Sequence, residues 1–224
     1  MESTTAHGRA RYQMKRRAET QEETRRRIVE AAVALHEAVG GPATTVSAIA
    51  ERAGVGRVTV YRHFPDERAL LSACTGHYFA TNPPPDPAAW ADVADPEMGL
   101  RAALGAHYGY YRRTEGMLAR AEQDALTNPV LAELLAPHAA RQAAVRDALV
   151  RAWVGVGAAD ADAAAAPELR AAVGHALAFG TWRSLVREEG LGDEQAVALM
   201  LALVRCTASA RRSGGDRRAH VLSN

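Results

Sequence analysis

TTVSAIAERAGVGRVTVYRHFPDERALL, residues 44–71, is the segment from which we predict the fold of this chain. Thr45 can cap a short helix over residues 45–53, and Gly54 can end it in a left-handed conformation without a Cβ penalty. A second short helix follows at once over residues 56–63. Two short helices joined by a tight glycine turn have the layout of a helix-turn-helix, whose second helix enters the major groove of DNA. The inner face of the first helix is predicted to carry Val46, Ile49, Ala50 and Ala53.

The second helix of this pair is rich in β-branched residues, which on propensity alone favour a strand. A helix that buries one face can override this preference, so we predict a helix that packs against its neighbour. The buried stripe is predicted at three-residue spacing, with Val58, Tyr61 and Phe64 pointing inward. The opposite side is then predicted to carry Arg57, Thr59, Val60, Arg62 and His63. A helical hairpin that only packs, without binding DNA, is the alternative.

Helical periodicity continues on both sides of the pair. A preceding helix is predicted from Thr24 onward, and the Gly-Gly-Pro of residues 40–42 ends it. Asp66 can cap a following helix that runs to about Thr81. The inward positions are predicted to be Ile28, Ala31, Ala32, Leu35 and Val39 in the preceding helix, and Leu70, Leu71, Cys74 and Tyr78 in the following one.

Composition divides the chain into five segments. A flexible basic arm is predicted over residues 1–20, and a helix-turn-helix domain with its connecting fourth helix over residues 21–81. Residues 82–96 contain five prolines and are typical of a stiff connection. A larger helical domain over residues 97–210 and a basic tail over residues 211–224 complete the chain. The helices of the larger domain are predicted at 97–113, 115–126, 129–155, 167–189 and 193–209.

The composition predicts an all-α protein and excludes several classes of function. Ala and Arg, both strong helix formers, are abundant, and the formal net charge of +1 gives no overall field that recruits DNA. The cysteines and histidines lack the spacing of a zinc site or a disulfide framework, so we predict no metal, no cofactor and a reducing, cytoplasmic setting. The N-terminus lacks the apolar region of a signal peptide, and the apolar run 196–204 is too short to span a bilayer.

Residues 44–71, preceded by the RRRIVEAAVALHEAVG of residues 25–40, resemble the DNA-binding signature of the tetracycline-repressor (TetR) family of transcriptional regulators. The resemblance implies an N-terminal three-helix helix-turn-helix DNA-binding domain and a larger C-terminal helical ligand-binding and dimerisation domain. It also implies a homodimer whose recognition helices read an inverted-repeat operator in double-stranded DNA. A small-molecule effector that binds the C-terminal domain would release the protein from this operator.

The resemblance carries DNA-binding roles onto matching residues. Those expected to meet phosphates are Thr45, Tyr61 and His63, and those expected closest to the bases are Arg57, Val58 and Thr59. Arg57 can pair with a guanine edge, a contact worth about 1 to 3 kcal/mol of discrimination. Arg62 is either a further phosphate contact or a solvated charge. The chain departs from the family pattern at Glu67, where a lysine is common and Arg68 could substitute, and at Gly56, where a capping serine is commoner.

Candidate effector-binding residues in the second domain combine aromatic side chains with a few polar groups, as small-molecule pockets require. They are Tyr108, Tyr111, Glu122, Trp153, His175 and Phe179. Each of them is an ordinary core or surface residue on the alternative interpretation. A buried Glu122 or Asp124 would favour a cationic effector, because opposite charges pair in a low dielectric.

The C-terminal helices carry the dimer prediction. The run AVALMLALV at 196–204 is apolar nearly all round, so one face can pack on its own domain and another on a partner. Ala172, Ala176 and Gly180 are predicted to form a small-residue ridge on the preceding helix, which would let helices approach closely. Two such helices from each protomer would form a four-helix interface around a two-fold axis. A monomer with a buried last helix is the alternative.

The sequence therefore predicts a dimeric, effector-responsive transcriptional repressor that is not an enzyme. The fourth helix, which ends at the proline-rich connection, is the predicted lever between the effector and DNA sites. The alternatives are an activator of the same fold, a ligand-independent DNA-binding protein, and a helical hydrolase or lyase that uses Glu122, Asp124 and His107. No nucleophile elbow, phosphate loop or metal-ligand spacing in the sequence supports the enzyme.

Overall fold

The computed structural model describes the backbone of residues 3–155 and 166–221, and the side chains of residues 12–155 and 166–209. Every regular element in these ranges is a helix, which confirms the predicted all-α fold. None of the helices in these ranges is both long and apolar enough to cross a lipid bilayer. The helices are α1 (Ser3–Val39), α2 (Val46–Ala53), α3 (Arg57–His63), α4 (Glu67–Thr81), α5 (Ala88–Ala91), α6 (Pro96–Ala125), α7 (Pro129–Val154), α8 (Pro167–Leu177), α9 (Phe179–Arg183), a π-helical turn (Ser184–Glu188) and α10 (Asp193–Val221).

The chain divides into two compact units. The first comprises Met1–Pro83 together with Gly116–Leu135, and the second comprises Pro84–Glu115 together with Ala136–Asn224. The division falls inside α6, so the last part of that helix belongs to the first unit. Residues 116–135 therefore pack with the N-terminal helices, whereas the boundary that composition indicates places them in the C-terminal domain.

The N-terminal arm differs from its prediction. Residues 1–20 are predicted to be flexible, but α1 extends back to Ser3. Strong helix formers dominate this segment, and Lys15 pairs with Glu19 one turn further on, at 3.9 Å. Local helix propensity thus extends α1 even where apolar anchors are scarce. The side chains of residues 1–11 and of the predicted basic tail, 211–224, lie outside the described residues.

The first unit buries one apolar stripe from each of α1, α2, α3 and α4. Thr45 caps α2 by accepting a hydrogen bond from Ala48 N at 3.1 Å, and Asp66 caps α4 by accepting one from Ala69 N at 2.7 Å. Gly54 ends α2 with φ +64°, in the left-handed region that glycine adopts without strain. These three predictions are confirmed. The core contains Ile28, Val29, Ala31, Ala32, Ile49, Ala50, Ala53, Val60, Phe64 and Cys74.

Two residues near the end of α6 hold the end of α1. Arg120 donates to the backbone carbonyls of Glu37 and Ala38, at 2.8 and 2.7 Å. The last carbonyls of a helix have no partner within the helix itself, so these two bonds satisfy groups that α1 leaves open. The carboxylate of Asp124 accepts from the backbone N–H of Gly41 at 2.7 Å. Together the two side chains fix the turn that leads from α1 to α2.

Two local predictions near these contacts are wrong. Val39, predicted to point inward, is exposed at the last position of α1. Gly116, predicted to separate two helices, lies inside α6, which runs unbroken from Pro96 to Ala125. A glycine inside a helix costs about 1 kcal/mol relative to alanine, and the bonds made by Arg120 and Asp124 one to two turns further on offset that cost.

The predicted helix over residues 167–189 is not continuous. Ala178 has extended backbone angles, φ −72° and ψ 139°, and separates α8 from α9. The predicted ridge of small residues is therefore wrong. Ala172 and Ala176 are buried within their own unit, while Gly180 lies beyond the break and is exposed. A dimer contact through α8 or α9 would therefore have to use residues other than these three.

Two tyrosines of α6 donate hydrogen bonds to the buried backbone carbonyls that the break at Ala178 leaves without helical partners. An interrupted helix leaves its last carbonyls without N–H partners further along the chain. The Tyr108 hydroxyl donates to the carbonyl of Ala176 at 2.9 Å, and the Tyr111 hydroxyl donates to that of Leu177 at 2.6 Å. Because buried carbonyls need donors, these side chains stabilise the interrupted form of the helix.

Aromatic rings form the centre of the second unit. Tyr111 packs edge-on against Phe179 with ring centroids 5.4 Å apart, and Phe179 stacks on Trp182 at 5.7 Å. The indole N–H of Trp182 donates to the Asp193 carboxylate at 3.1 Å. Arg112 donates to the same carboxylate at 2.8 Å and holds the pKa of Asp193 below its usual range. The first turn of α10 is thereby fixed to this aromatic cluster.

We expect the Tyr111→Phe substitution to destabilise the second unit by about 1 to 3 kcal/mol, because the buried carbonyl of Leu177 loses its donor. Urea unfolding followed by circular dichroism measures the change. Tyr12→Phe, which removes an exposed hydroxyl of α1, is the control and should leave the unfolding midpoint unchanged. An equal midpoint for both variants would contradict a stabilising role for the Tyr111 hydroxyl.

Candidate nucleic-acid interface

A three-residue turn, residues 54–56, connects α2 directly to α3. Within it the N–H of Val55 donates to the carbonyl of Ala50 at 3.0 Å, which holds the turn against the end of α2. Gly56 occupies the N-cap of α3 and has no side chain to cap the helix. The turn therefore fixes where α3 begins, while packing has to fix its rotation about its own axis.

The rotation of α3 differs from the predicted one. Val60 is 1% exposed and Phe64 is 2% exposed, so α3 packs through two residues that are four positions apart. Val58 is 79% exposed and Tyr61 is 49% exposed. The prediction that Val58 and Tyr61 point inward is wrong, as is the prediction that Val60 faces outward. A three-residue spacing drifts around a helix of about 3.6 residues per turn, whereas residues 60 and 64 lie nearly above one another.

The outward face of α3 carries most of the predicted DNA-binding side chains. Arg57, Val58, Tyr61 and Arg62 are exposed, and Thr59 and His63 are half-buried. Arg62 donates to the Thr59 hydroxyl at 3.3 Å, which directs its guanidinium along the helix. In the described part of the chain, neither Arg57 nor Arg62 forms a salt bridge. Two uncompensated guanidinium groups beside exposed apolar atoms can contact phosphates and base edges.

Flanking candidates already have structural partners. The Thr45 oxygen accepts the capping bond of α2, which leaves its hydroxyl proton available to donate to a phosphate. Arg68 makes two hydrogen bonds to Glu133, at 2.6 and 3.1 Å, so its charge is paired within the first unit. Glu67, where the family pattern has a lysine, accepts from the Asn128 side chain at 2.8 Å. Glu67 and Arg68 are therefore less available for DNA contacts than the exposed residues of α3.

Arg25 of α1 contacts the recognition helix and is absent from the sequence-based candidates. Its guanidinium carbon lies 4.4 Å from the centroid of the Phe64 ring, and its Nη1 donates to the His63 carbonyl at 3.4 Å. The helical period of α1 could have found it. Arg25 precedes the buried Ile28 by three positions and so shares its side of the helix.

Three of the six effector candidates meet in the aromatic centre of the second unit. The Tyr108 and Tyr111 centroids lie 6.4 Å apart, and Phe179 contacts the ring of Tyr111. Both hydroxyls are bonded to α8 carbonyls in this conformation. His175 is exposed and lines an open groove of about 380 Å³ beside the helix break. The Thr181 hydroxyl, also in the groove, lies 3.2 Å from His175 Nδ1.

The other two candidates lie outside that cluster. Glu122 is exposed and belongs to the segment that packs with the first unit. Trp153 is half-buried near the end of α7, and its Nε1 is buried with no hydrogen-bond partner in the described ranges. The carboxylate of Asp124 already accepts from Gly41. Neither the exposed Glu122 nor the half-buried Asp124 is the buried carboxylate that would favour a cationic effector.

The residues of the enzyme alternative do not share a unit. His107 is buried in the second unit, where its ring nitrogens contact the Ala103 carbonyl at 2.7 Å and the Gln142 side-chain oxygen at 3.0 Å. Burial lowers the pKa of His107 below its ordinary value. Glu122 and Asp124 belong to the first unit. Among the described side chains, no group of three His, Cys, Asp or Glu is placed to hold a metal ion.

Comparison with known proteins matches this DNA-binding region to a family. Residues 28–74 match the family model for bacterial regulatory proteins of the tetR family. The HTH-type transcriptional repressor KstR of Mycolicibacterium smegmatis is 40% identical to this chain over 62 residues. That alignment covers 28% of this chain and 30% of the length of KstR, so the match leaves most of both proteins unaligned.

Solved structures share the fold over most of the chain. A TetR-like transcriptional regulator from Rhodococcus sp. RHA1 has a TM-score of 0.56 at 18% identity, covering 81% of this chain and 93% of that one. A putative transcriptional regulator from Saccharomonospora viridis, solved in complex with choline, has a TM-score of 0.55 at 19% identity, covering 82% and 96%. These likenesses confirm the predicted combination of a helix-turn-helix domain and a helical C-terminal domain.

We expect Val60→Ala to destabilise the first unit by about 1 to 3 kcal/mol, because it leaves a cavity beneath α3. Val58→Ala is the matched control, since it removes the same atoms from the exposed face and should change stability by less than about 0.5 kcal/mol. Thermal and urea unfolding measure both variants. Equal effects, or a larger effect at Val58, would contradict the observed rotation of α3.

Proposed function

We propose, on the premise that this chain is a member of the TetR family of transcriptional regulators, that it is a homodimeric repressor released from its operator by a small-molecule effector. The matched DNA-binding region and the shared fold support the premise. The proposal adds three points to this premise: an inverted-repeat operator, a dimer and an effector. They are supported in turn by the exposed face of α3, the outward face of α10 and the groove of the second unit.

The exposed face of α3 is the observation that carries the proposal. Arg57 and Arg62 lie on it with no acidic partner in the described ranges, so both can contact DNA without first breaking an ion pair. Val58 keeps an apolar side chain almost fully in water, and an apolar side chain in the major groove can contact a thymine methyl group. A face that joins cationic and apolar groups suits sequence reading better than phosphate binding alone.

The outward face of α10 supports the dimer. Leu199 is 47% exposed and Leu203 is 42% exposed, one turn apart, whereas Val197, Leu201 and Val204 are buried on the other side. Exposed apolar stripes of this kind mark interaction surfaces. A second copy of the chain would supply the same stripe around a two-fold axis. The axis would also place two recognition helices about 34 to 36 Å apart, one turn of DNA.

The second unit is proposed to bind the effector. Aromatic side chains and an open groove beside Ala178 provide the apolar contacts that small-molecule sites use. In the S. viridis regulator the same fold is seen with choline. An effector that binds the DNA-incompetent form better by about 1 to 3 kcal/mol would lower operator affinity about 5- to 150-fold. An activator would use the same sites, with an operator placed differently relative to the promoter.

Selection of bound duplexes from a random library at physiological salt tests the DNA part. We expect enrichment of an inverted repeat, with half-sites about 10 base pairs apart from centre to centre. The enriched site should be preferred over random DNA by about 10³-fold or more. Folded, dimeric protein that enriches no sequence would overturn sequence-specific recognition.

The enriched site then permits a residue-level check of this prediction. Arg57→Ala should weaken binding by about 1 to 3 kcal/mol and relax the preference at one base pair of each half-site. Arg101→Ala removes the same charge from an exposed position in the second unit and is the control. An equal loss of affinity in both variants would indicate that Arg57 contributes only general charge.

We expect Leu203→Glu to shift the protein from dimer to monomer, because it places a carboxylate in the proposed apolar interface. Analytical ultracentrifugation across a range of protein concentrations measures the change. Leu126→Glu alters a leucine that is 78% exposed outside α10 and should leave the association unchanged. A monomeric wild type, or a Leu203→Glu variant that dimerises like the wild type, would exclude this face as the interface.

A further inference from the structure

The recognition helix depends on its neighbours for its conformation. α3 has seven residues, well below the roughly 12 to 15 that an isolated helix needs in water. Its N-cap is a glycine without a capping side chain, and Val60 is its one buried residue. The end of α3 at His63 and Phe64 carries carbonyls that have no partner within the helix. A contact at that end therefore has a large share in setting the position of α3.

Arg25 makes that contact from α1. Its guanidinium lies over the buried Phe64 ring at 4.4 Å, within the range of a favourable cation–π contact. Its Nη1 also donates a hydrogen bond to the His63 carbonyl oxygen, with 3.4 Å between the two atoms. A positive charge at the C-terminal end of a helix is further favoured by the helix dipole. Both contacts of Arg25 thus join α1 to the C-terminal end of α3.

The neighbouring arginine differs from Arg25 in what it contacts. Arg26 pairs within α1, at 2.6 Å to Glu23 and 3.1 Å to Glu30. Arg25 has no salt bridge in the described part of the chain, and its two contacts both lead to the end of α3. Two adjacent residues of the same type, on the same helix, thus offer a matched comparison.

We propose that Arg25 is a positioning residue of the DNA-binding site, which fixes the C-terminal end of α3 and so sets the angle at which Arg57 and Val58 meet the bases. This proposal rests on the proposed function, since it concerns how the operator is read. In this role the guanidinium of Arg25 is directed at the Phe64 ring and the His63 carbonyl rather than at a base or a phosphate. Its loss should therefore reduce the discrimination between operator and random DNA, while general attraction to the phosphate backbone persists.

The test compares Arg25→Met, Arg25→Lys and Arg26→Met on the selected operator and on a random duplex. Arg25→Met should weaken operator binding about 5- to 20-fold, because binding must then order the end of α3 that the ring and carbonyl contacts hold in the wild type. Random duplex should change by less than about twofold, and the slope of log K against log salt should equal that of the wild type. Arg25→Lys should recover part of the loss, because an ammonium group can also sit over the ring. Arg26→Met should keep the wild-type ratio.

A slope that falls by about one unit in Arg25→Met would show a direct phosphate contact and overturn the positioning role. An equal loss of operator affinity in Arg25→Met and Arg26→Met would overturn it too, because charge alone would then explain the effect. Circular dichroism at the assay temperature checks that each variant is folded. If Arg25→Met does not fold, Arg25→Lys replaces it in the comparison with Arg26→Met.

Amide chemical shifts of residues 57–64 in the free protein provide a readout that needs no operator. They should move in Arg25→Met and stay in place in Arg26→Met. Unmoved shifts would overturn the proposal even if DNA binding changes. A wild type that selects no sequence would instead refute the proposed function, and the shift comparison would still decide whether Arg25 positions α3.

Discussion

A seven-residue helix is not stable by itself in water. The helical conformation of α3 therefore depends on the burial of Val60 and Phe64 in the core of the first unit. Once those two side chains are buried, helical geometry places Val58 and Arg62 on the opposite surface, and Arg57 is exposed at the first position of the helix. The proposed DNA-binding face is therefore a consequence of the hydrophobic contact that Val60 and Phe64 make on the other side of the helix. The β-branched residues of α3 stay helical for the same reason, because packing outweighs their weak preference for strands.

Features that depend on neighbours within a few residues were predictable from the sequence. The caps at Thr45 and Asp66 and the left-handed Gly54 are of this kind, since each involves a backbone group within four positions. The rotation of α3 was not predictable, because Val58 and Val60 are the same residue type and only the surrounding helices distinguish them. At the interruption, the carbonyls of Ala176 and Leu177 accept from tyrosine hydroxyls that lie 68 and 66 residues before them, which no local pattern can reveal.

The two candidate sites also differ in how far local sequence could predict them. Polar and charged residues on a short helix are exposed in most arrangements, so the exposure of Arg57 and Arg62 could be predicted from the motif. Aromatic residues serve equally well in a core and in a pocket, and the tyrosines chosen as effector contacts are bonded to the backbone of α8 in this conformation. The helical period of α1 indicates which side of the helix Arg25 lies on, but its contact with Phe64 could not be predicted, because the two residues are 39 positions apart in sequence.

The two thiols of the chain differ in a way that makes the molecule convenient to label. Cys74 is buried in the first unit, and burial raises its pKa to about 12, so it forms almost no thiolate near neutral pH. Cys206 is exposed on α10, in the same stretch of helix as Leu199 and Leu203. A maleimide dye or spin label would therefore attach only at Cys206, and the proposed dimer should slow that reaction, because Cys206 lies on the same face of α10 as Leu199 and Leu203. The label's fluorescence or distance readout would come from α10 without any engineered cysteine.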